Sequence, residues 1–297
     1  MAINPTSPWL RRLVVTLGPL EEWRGKSAGE TVRFESDGTP KSLKATARVH
    51  RTLMGMAQPS DISVFNLAAD TRDAIKADLT KITIEAGWGS STLHKLFQGS
   101  VLSAESERSG ADIVTRISAL PGYGALVRGV SSRTFSEGTP LAAVVKELAG
   151  DLPGLTVADS GLEGLQGSIR NGGWSFAGST KDAMTQLANE YGFSWHVDDG
   201  AFKALGDKAA FGGVTVLNGN NGGLISVTPI LSGAMQAGTG VTIRALYVPG
   251  VTAGSTVRVN STMYPKLNGE YRANTITVSA DTHGDQWTMD IESFKPL

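Results

Sequence analysis

The chain has 297 residues, 40% of them hydrophobic, a net charge of −1 and no cysteine. That apolar content supports folded cores, and the length fits two or three domains. The missing cysteine excludes disulfides, thiolate catalysis and cysteine-ligated zinc, and the near-neutral charge excludes a strong nucleic-acid-binding field.

At the N-terminus, Met1–Pro5 lacks the basic-then-apolar pattern of a signal peptide, and no apolar run along the chain is long enough to cross a membrane as a helix. Residues 1–60 carry nine Lys/Arg against five Asp/Glu, and residues 61–206 carry twelve against seventeen. Ordinary solvated faces account for so mild an asymmetry. The 36 glycines follow no Gly-x-y period and read as many tight turns between short strands.

Residues 10–17 form the first predicted strand. Residues 43–49 alternate, with Leu43, Ala45, Ala47 and Val49 on one face and Lys44, Thr46 and Arg48 on the other. That is a half-buried strand with one wet face. Residues 61–67 continue the pattern. A short helix follows, with Asp70 as N-cap, Asp73 three residues on, and Ile75 and Leu79 sharing a face. Ile82, Ile84 and Ala86 mark the next strand, and Val101–Glu107 with Ala111–Ala119 read as a hairpin around Ser109-Gly110.

Pro121-Gly122-Tyr123-Gly124 is a break, after which the pattern turns helical. Thr139 caps a helix with Pro140 at its first position; Leu141, Val144, Val145 and Leu148 line one face, and Gly150 ends it. A second helix opens at Ser179 with Asp182 as capping-box partner, carries Met184, Leu187, Ala188 and Tyr191, and stops at Gly192. Phe193, Trp195 and Val197 form a strand, Asp199-Gly200 a turn, and Ala201–Leu205 the return strand. Asn218–Gly223 reads as a loop or linker. Beyond it the chain is all strand and turn, through Val241–Tyr247, Val257–Val259, Ile276–Val278 and Trp287–Ile291. Strands this short with so many turns predict a small barrel as the natural closure.

The polar groups offer little chemistry. His50, His94, His196 and His283 fall in no H-x-x-x-H or H-E-x-x-H pattern. Asp281-x-His283-x-Asp285 is the best metal-like cluster, but a turn between strands selects those residues anyway. Gly173-Trp174-Ser175-Phe176-Ala177 lacks the last glycine of a nucleophile elbow. Gly122-x-Gly124 lacks the third glycine of a dinucleotide fingerprint. Asp198-Asp199-Gly200 offers paired carboxylates that a hairpin turn also explains. Trp174, Phe176, Trp195 and Phe202 form either a sugar- or peptide-binding platform or, more simply, the core of a small domain. No catalytic, cofactor-binding or metal-ligating residue is assigned, and no enzymatic activity or cofactor is expected.

Three places carry a family resemblance. The first is Asn66-Leu67 with Thr71-Arg72, then Ala86-Gly87-Trp88 and Phe97-Gln98-Gly99-Ser100-Val101. The second is Phe135-Ser136-Glu137-Gly138-Thr139 before the Leu141–Leu148 helix, followed by the Asp182–Tyr191 helix and Gly192-Phe193-Ser194-Trp195. The third is Gly284-Asp285-Gln286-Trp287-Thr288-Met289. In that order the chain resembles the baseplate hub proteins of contractile-tailed bacteriophages, the group that includes the late control or tail protein D family.

The resemblance implies an α+β, mostly β fold with two tail-tube-like β-barrel domains, residues 1–120 and 207–297, flanking a small α+β domain, residues 121–206. It implies a structural homotrimer that links the six-fold tail tube to the three-fold spike. Its partners would be the tube protein or a tube-initiating protein above, the spike below and surrounding baseplate proteins. DNA would pass through the lumen without specific binding, and nothing would insert into a membrane. The location would be the virion baseplate, after assembly in the host cytoplasm. A carbohydrate- or cell-wall-binding module of a tail or injection system is the alternative.

Overall fold

The structure is a computed structural model that describes residues 10–20, 31–53, 55, 58–75, 80–89, 91–170, 172–206, 209–220, 222–230 and 240–295. The first segment holds β1 (Arg11–Leu20), β2 (Val32–Ser36), β3 (Ala45–Thr52), β4 (Ser60–Phe65), α1 (Ala69–Ala74), β5 (Thr80–Trp88), β6 (His94–Ser109) and β7 (Asp112–Leu120). The middle segment holds α2 (Tyr123–Arg128), β8 (Val130–Phe135), α3 (Leu141–Gly150), β9 (Thr156–Val157), β10 (Trp174–Ser179), α4 (Thr180–Tyr191), β11 (Phe193–Asp198) and β12 (Ala201–Gly206). The last segment holds β13 (Phe211–Asn218), β14 (Leu224–Pro229), β15 (Gly240–Leu246), β16 (Ser255–Asn260), β17 (Gly269–Asp281) and β18 (Trp287–Phe294). The fold is mostly β.

The first and last segments share one sheet of thirteen strands. Its path runs β14-β15-β18-β17-β3-β4-β7-β6-β5-β1-β2, with β16 and β13 branching from β17. No closed barrel is found among the described strand pairs; the two segments for which the resemblance implies tail-tube-like barrels share one sheet. The sharing lies in β17. At 13 residues it is long enough to pair with β16 over Gly269–Arg272 and with β3 over Thr275–Asp281, while β18 runs along its other side. One strand therefore joins both segments.

The alternation read in residues 43–49 is present in β3, where Ala45, Ala47 and Val49 are buried. They face Asp281-side residues of β17 in register, Val49 opposite Val278 and Ala47 opposite Ala280. A single apolar core draws on both segments, with Leu13, Ile62, Ile84, Ile117, Ile276 and Trp287 among its members. Burial of such side chains from water is the main stabilising term, at about 1.5–3 kcal/mol each.

The middle segment packs around its own core. Leu141, Val144, Val145 and Leu148 of α3 meet Ala183, Met184 and Leu187 of α4, as the helical spacing predicts. Gly192 ends α4 with φ +68°, the left-handed conformation glycine adopts without penalty. Several boundaries differ from the sequence reading. α3 starts one residue late, because the Thr139 hydroxyl donates to the Ser136 carbonyl instead of capping the helix. Ser179 is at the N-cap of α4 but makes no side-chain capping bond. α1 is six residues long with Ala68, not Asp70, at its N-cap, and Ile75 is buried just beyond it; Leu79 lies outside the described residues. The Pro121–Gly124 break contains the start of α2. No helix among the described residues is long and apolar enough to cross a membrane.

Candidate functional site: a buried polar junction and the free sheet edges

Continuing the β3 alternation by one step places Arg51 on the buried face. Its guanidinium is touched by all three segments. It donates to the carbonyl of Leu96 on β6 and, at 3.5 Å, to that of Val251 in the last segment. From the middle segment it receives Asp198, with Nε 3.6 Å from Oδ1, and Asp199, with Nη2 3.4 Å from Oδ1. Lys203 Nζ closes on the other Asp198 oxygen at 3.3 Å. Arg51 and Asp198 are both buried. A charge in such a place is tolerated only with partners.

The local fold sets this geometry. β11 and β12 form a hairpin whose turn residues, Asp199 and Gly200, have φ of +53° and +80°. Both are left-handed, as a two-residue hairpin turn requires. An ideal Cβ at Gly200 would lie 2.4 Å from the Gln98 amide nitrogen, so the turn sits against β6. Trp195 and Val197 point into the middle core, whereas His196 and Asp198 point to the sheet. His196 lies opposite Lys203, with its ring 6.0 Å from that of Phe211 on β13. The backbone joins here as well, since Gly55 N donates to the Trp195 carbonyl at 2.7 Å. Leu53, Leu205 and Ala253, one from each segment, form a small apolar cluster beside it.

Burial dominates the proton affinities. It lowers His196 from its ordinary value to about 4; Lys203 and Arg51 add to the lowering and Asp198 opposes it. Burial pushes the Asp198 carboxyl up, but Arg51 and Lys203 outweigh it and hold the group below the usual range. For Asp199 burial prevails, and the repulsion of Asp198 adds to it, so its affinity is raised. Burial also pushes the Tyr247 hydroxyl up to about 12, against the pull of Arg51.

The Asp281–Asp285 turn is a second tie. Asp281 Oδ1 accepts the backbone N–H groups of His283 at 2.9 Å and Gly284 at 2.8 Å. The His283 ring meets the Thr282 hydroxyl at 2.9 Å and the Thr39 carbonyl at 3.0 Å. Thr282 Oγ1 in turn accepts Ser36 Oγ at 2.7 Å and Ala45 N at 3.1 Å. The edge strand β2 is thus fastened to β3 through one hydroxyl. Arg11 adds bonds to the carbonyls of Asp281, Gly284 and Asp285. These groups are engaged in holding the turn, and no described cluster of three His, Asp or Glu side chains forms a metal site.

The remaining sequence candidates are spread apart. Ser175 lies in mid-strand on β10, exposed, with its hydroxyl donating to Thr134. Gly122 packs against Val197 at the start of α2. His50 contacts the Thr277 hydroxyl at 3.2 Å, and His94 is exposed at the start of β6. Trp174, Trp195 and Phe202 are buried in the middle core, with Trp174 stacked between Phe135 and Phe176. The aromatic cluster is core and offers no open platform.

What the surface does offer is edges. Among the described residues β2 pairs only with β1, β14 only with β15, and β13 only with β16. Unpaired edges are templates for another chain. Of the eight large hydrophobic side chains exposed among the described residues, six belong to the last segment: Val214, Val216, Ile225, Leu246, Met263 and Tyr264. The other two, Val127 and Val130, lie on the middle segment.

A thirteen-stranded sheet with free edges and a small helical insert also occurs among solved structures, several of which align along nearly the whole chain. A tail protein from Neisseria meningitidis MC58 covers 96% of this chain and 97% of its own, with a TM-score of 0.62 at 10% identity. The 43 kDa tail protein of prophage MuSo2 from Shewanella oneidensis covers 95% and 96%, with a TM-score of 0.58 at 12% identity. The E. coli c3393 protein, a type VI secretion component with structural similarity to the T4 tail proteins gp27 and gp5, covers 88% and 75%, with a TM-score of 0.58 at 9% identity. Identities this low establish the fold alone. No curated protein matches the sequence. The family comes from a sequence model, Baseplate hub gp41, which matches residues 30–293. The chain belongs to that family of baseplate hub proteins, as the ordered motifs imply.

Proposed function

We propose that three copies of this chain form a ring in the baseplate of a contractile phage tail, joining the six-fold tube to the three-fold spike. The family match over residues 30–293 carries this reading. The free edges support it, because an unpaired strand edge is a template for another chain, and the last segment adds exposed apolar side chains. Head-to-tail contacts that close after three subunits would use such unlike edges. Within a ring, each segment of the shared sheet would act as one tube-like half-unit, giving six around the axis. The tube or tube-initiating protein would sit above, the spike below, and other baseplate proteins outside.

The role is mechanical rather than enzymatic. A net charge of −1 suits a lumen that lets DNA pass without holding it. Likeness to a type VI component supports the same role in a non-phage injection machine. Native mass measurement of the chain, alone and with its spike, tests the proposal. A trimer in either sample is the expected result; a monomer in both overturns it.

A further inference from the structure

At the junction around Arg51, buried charge from the middle segment meets the sheet. Arg51 and Lys203 supply two positive charges, and Asp198 and Asp199 two negative ones. With a neutral imidazole at His196 the cluster is balanced. His196 is 2% exposed, and neither ring nitrogen has a hydrogen-bond partner among the described residues. Its neighbours are the Phe211 ring on β13, Lys203 across the hairpin, Asp198 on its own face of β11 and Arg51 on β3. Asp199 and Tyr247 also face Arg51, and Lys95 on β6 faces Asp199. A proton added to this imidazole puts an uncompensated third cation into a closed site, with no acceptor to take its N–H groups.

We propose that this cluster is an acid-sensitive latch that locks the β11–β12 hairpin, and with it the middle segment, onto the sheet at neutral pH and releases it on acidification. Release frees the hairpin face that holds His196, Asp198 and Lys203, while the opposite face stays in the middle core.

The sign follows from linkage. A histidine held at about 4 when docked, against an ordinary value of 6.5, binds its proton mainly in the undocked state. Docking is therefore strongest above about pH 6.5 and weakens as pH falls toward about 4. Asp198, held low, adds to the loss in stronger acid. Asp199, held high, works the other way, but its side chain is 24% exposed and solvent screens it more than His196.

Hydrogen exchange of the full chain, expressed as protection factors, reads the latch directly. Between pH 7 and pH 4.5, protection in β11–β12 is expected to fall on the order of tenfold to a hundredfold relative to β17–β18 and α3. His196→Gln, polar and non-titrating, is expected to remove that differential fall. Lys203→Met, which takes away a like charge facing the ring, is expected to shrink it. A parallel fall in all regions overturns the proposal, and so does a differential fall unchanged in both variants.

Discussion

The turns at Asp198–Gly200 and Asp281–Asp285 are alike in composition and opposite in environment. Each is Asp- and Gly-containing, each joins two antiparallel strands, and each fastens distant parts of the chain. The Asp281 turn works mainly through hydrogen bonds that its carboxylate and the Thr282 hydroxyl make with backbone and hydroxyl groups, at a site buried at Ser36 and Thr282 and exposed at His283. The Asp198 turn works through full charges taken out of water. Ties at its exposed rim can be lost singly at modest cost, because water replaces the missing partner, whereas loss of the buried Thr282 hydroxyl leaves Ser36 unpaired. A buried charged tie fails as a unit, since the group left behind cannot be solvated.

The sharpest way to break this comparison is Arg51→Met, which strands Asp198 and Asp199 against the sheet. A loss of about 3–5 kcal/mol in denaturant unfolding is expected; a loss under about 1 kcal/mol would mean water reaches the junction. Next comes pH. For the buried His196, a displacement from 6.5 to about 4 corresponds to about 3 kcal/mol of stability, present above pH 6.5 and mostly lost by about pH 4. Unfolding measured across that range should show wild type losing this stability in acid and His196→Gln keeping it, so that the two curves draw apart toward pH 4. Thr282→Val should cost about 1–3 kcal/mol, since it leaves the buried Ser36 hydroxyl without its acceptor. Lys44→Ala, which cuts a 3.5 Å contact to Asp281 from a side chain 40% exposed, should change the melting point little, by about 0.5 kcal/mol or less.

The same contrast explains what the sequence reveals. Alternation in 43–49 and helical spacing in 141–148 and 183–187 are legible because each reports one local face meeting one core. Extending the first of these by two residues would also have flagged Arg51, a charge on an apolar phase. Its partners were beyond reach, because they come from a turn some 150 residues further on. β8, β10 and β14 escaped notice because their faces are mixed in burial, without a clean period of two. The sharing of one sheet by the first and last segments was not legible, because nothing local in Gly269–Asp281 says that it pairs with two partners on one side. The aromatic cluster and the Asp281–Asp285 group were legible as the core and the turn that simple chemistry favours.

Strand β17 has a consequence for how the chain is made. β3 emerges early in synthesis, but the strand that completes its hydrogen bonding is almost the last to appear. Until then the first segment carries an open, apolar-backed edge, and pairings between such distant stretches are slow to form. Folding of this molecule is therefore finished from its C-terminal end. A nascent or truncated chain lacking Gly269–Asp281 would lose a strand from both segments at once, and would expose to its neighbours the surface most prone to mispair.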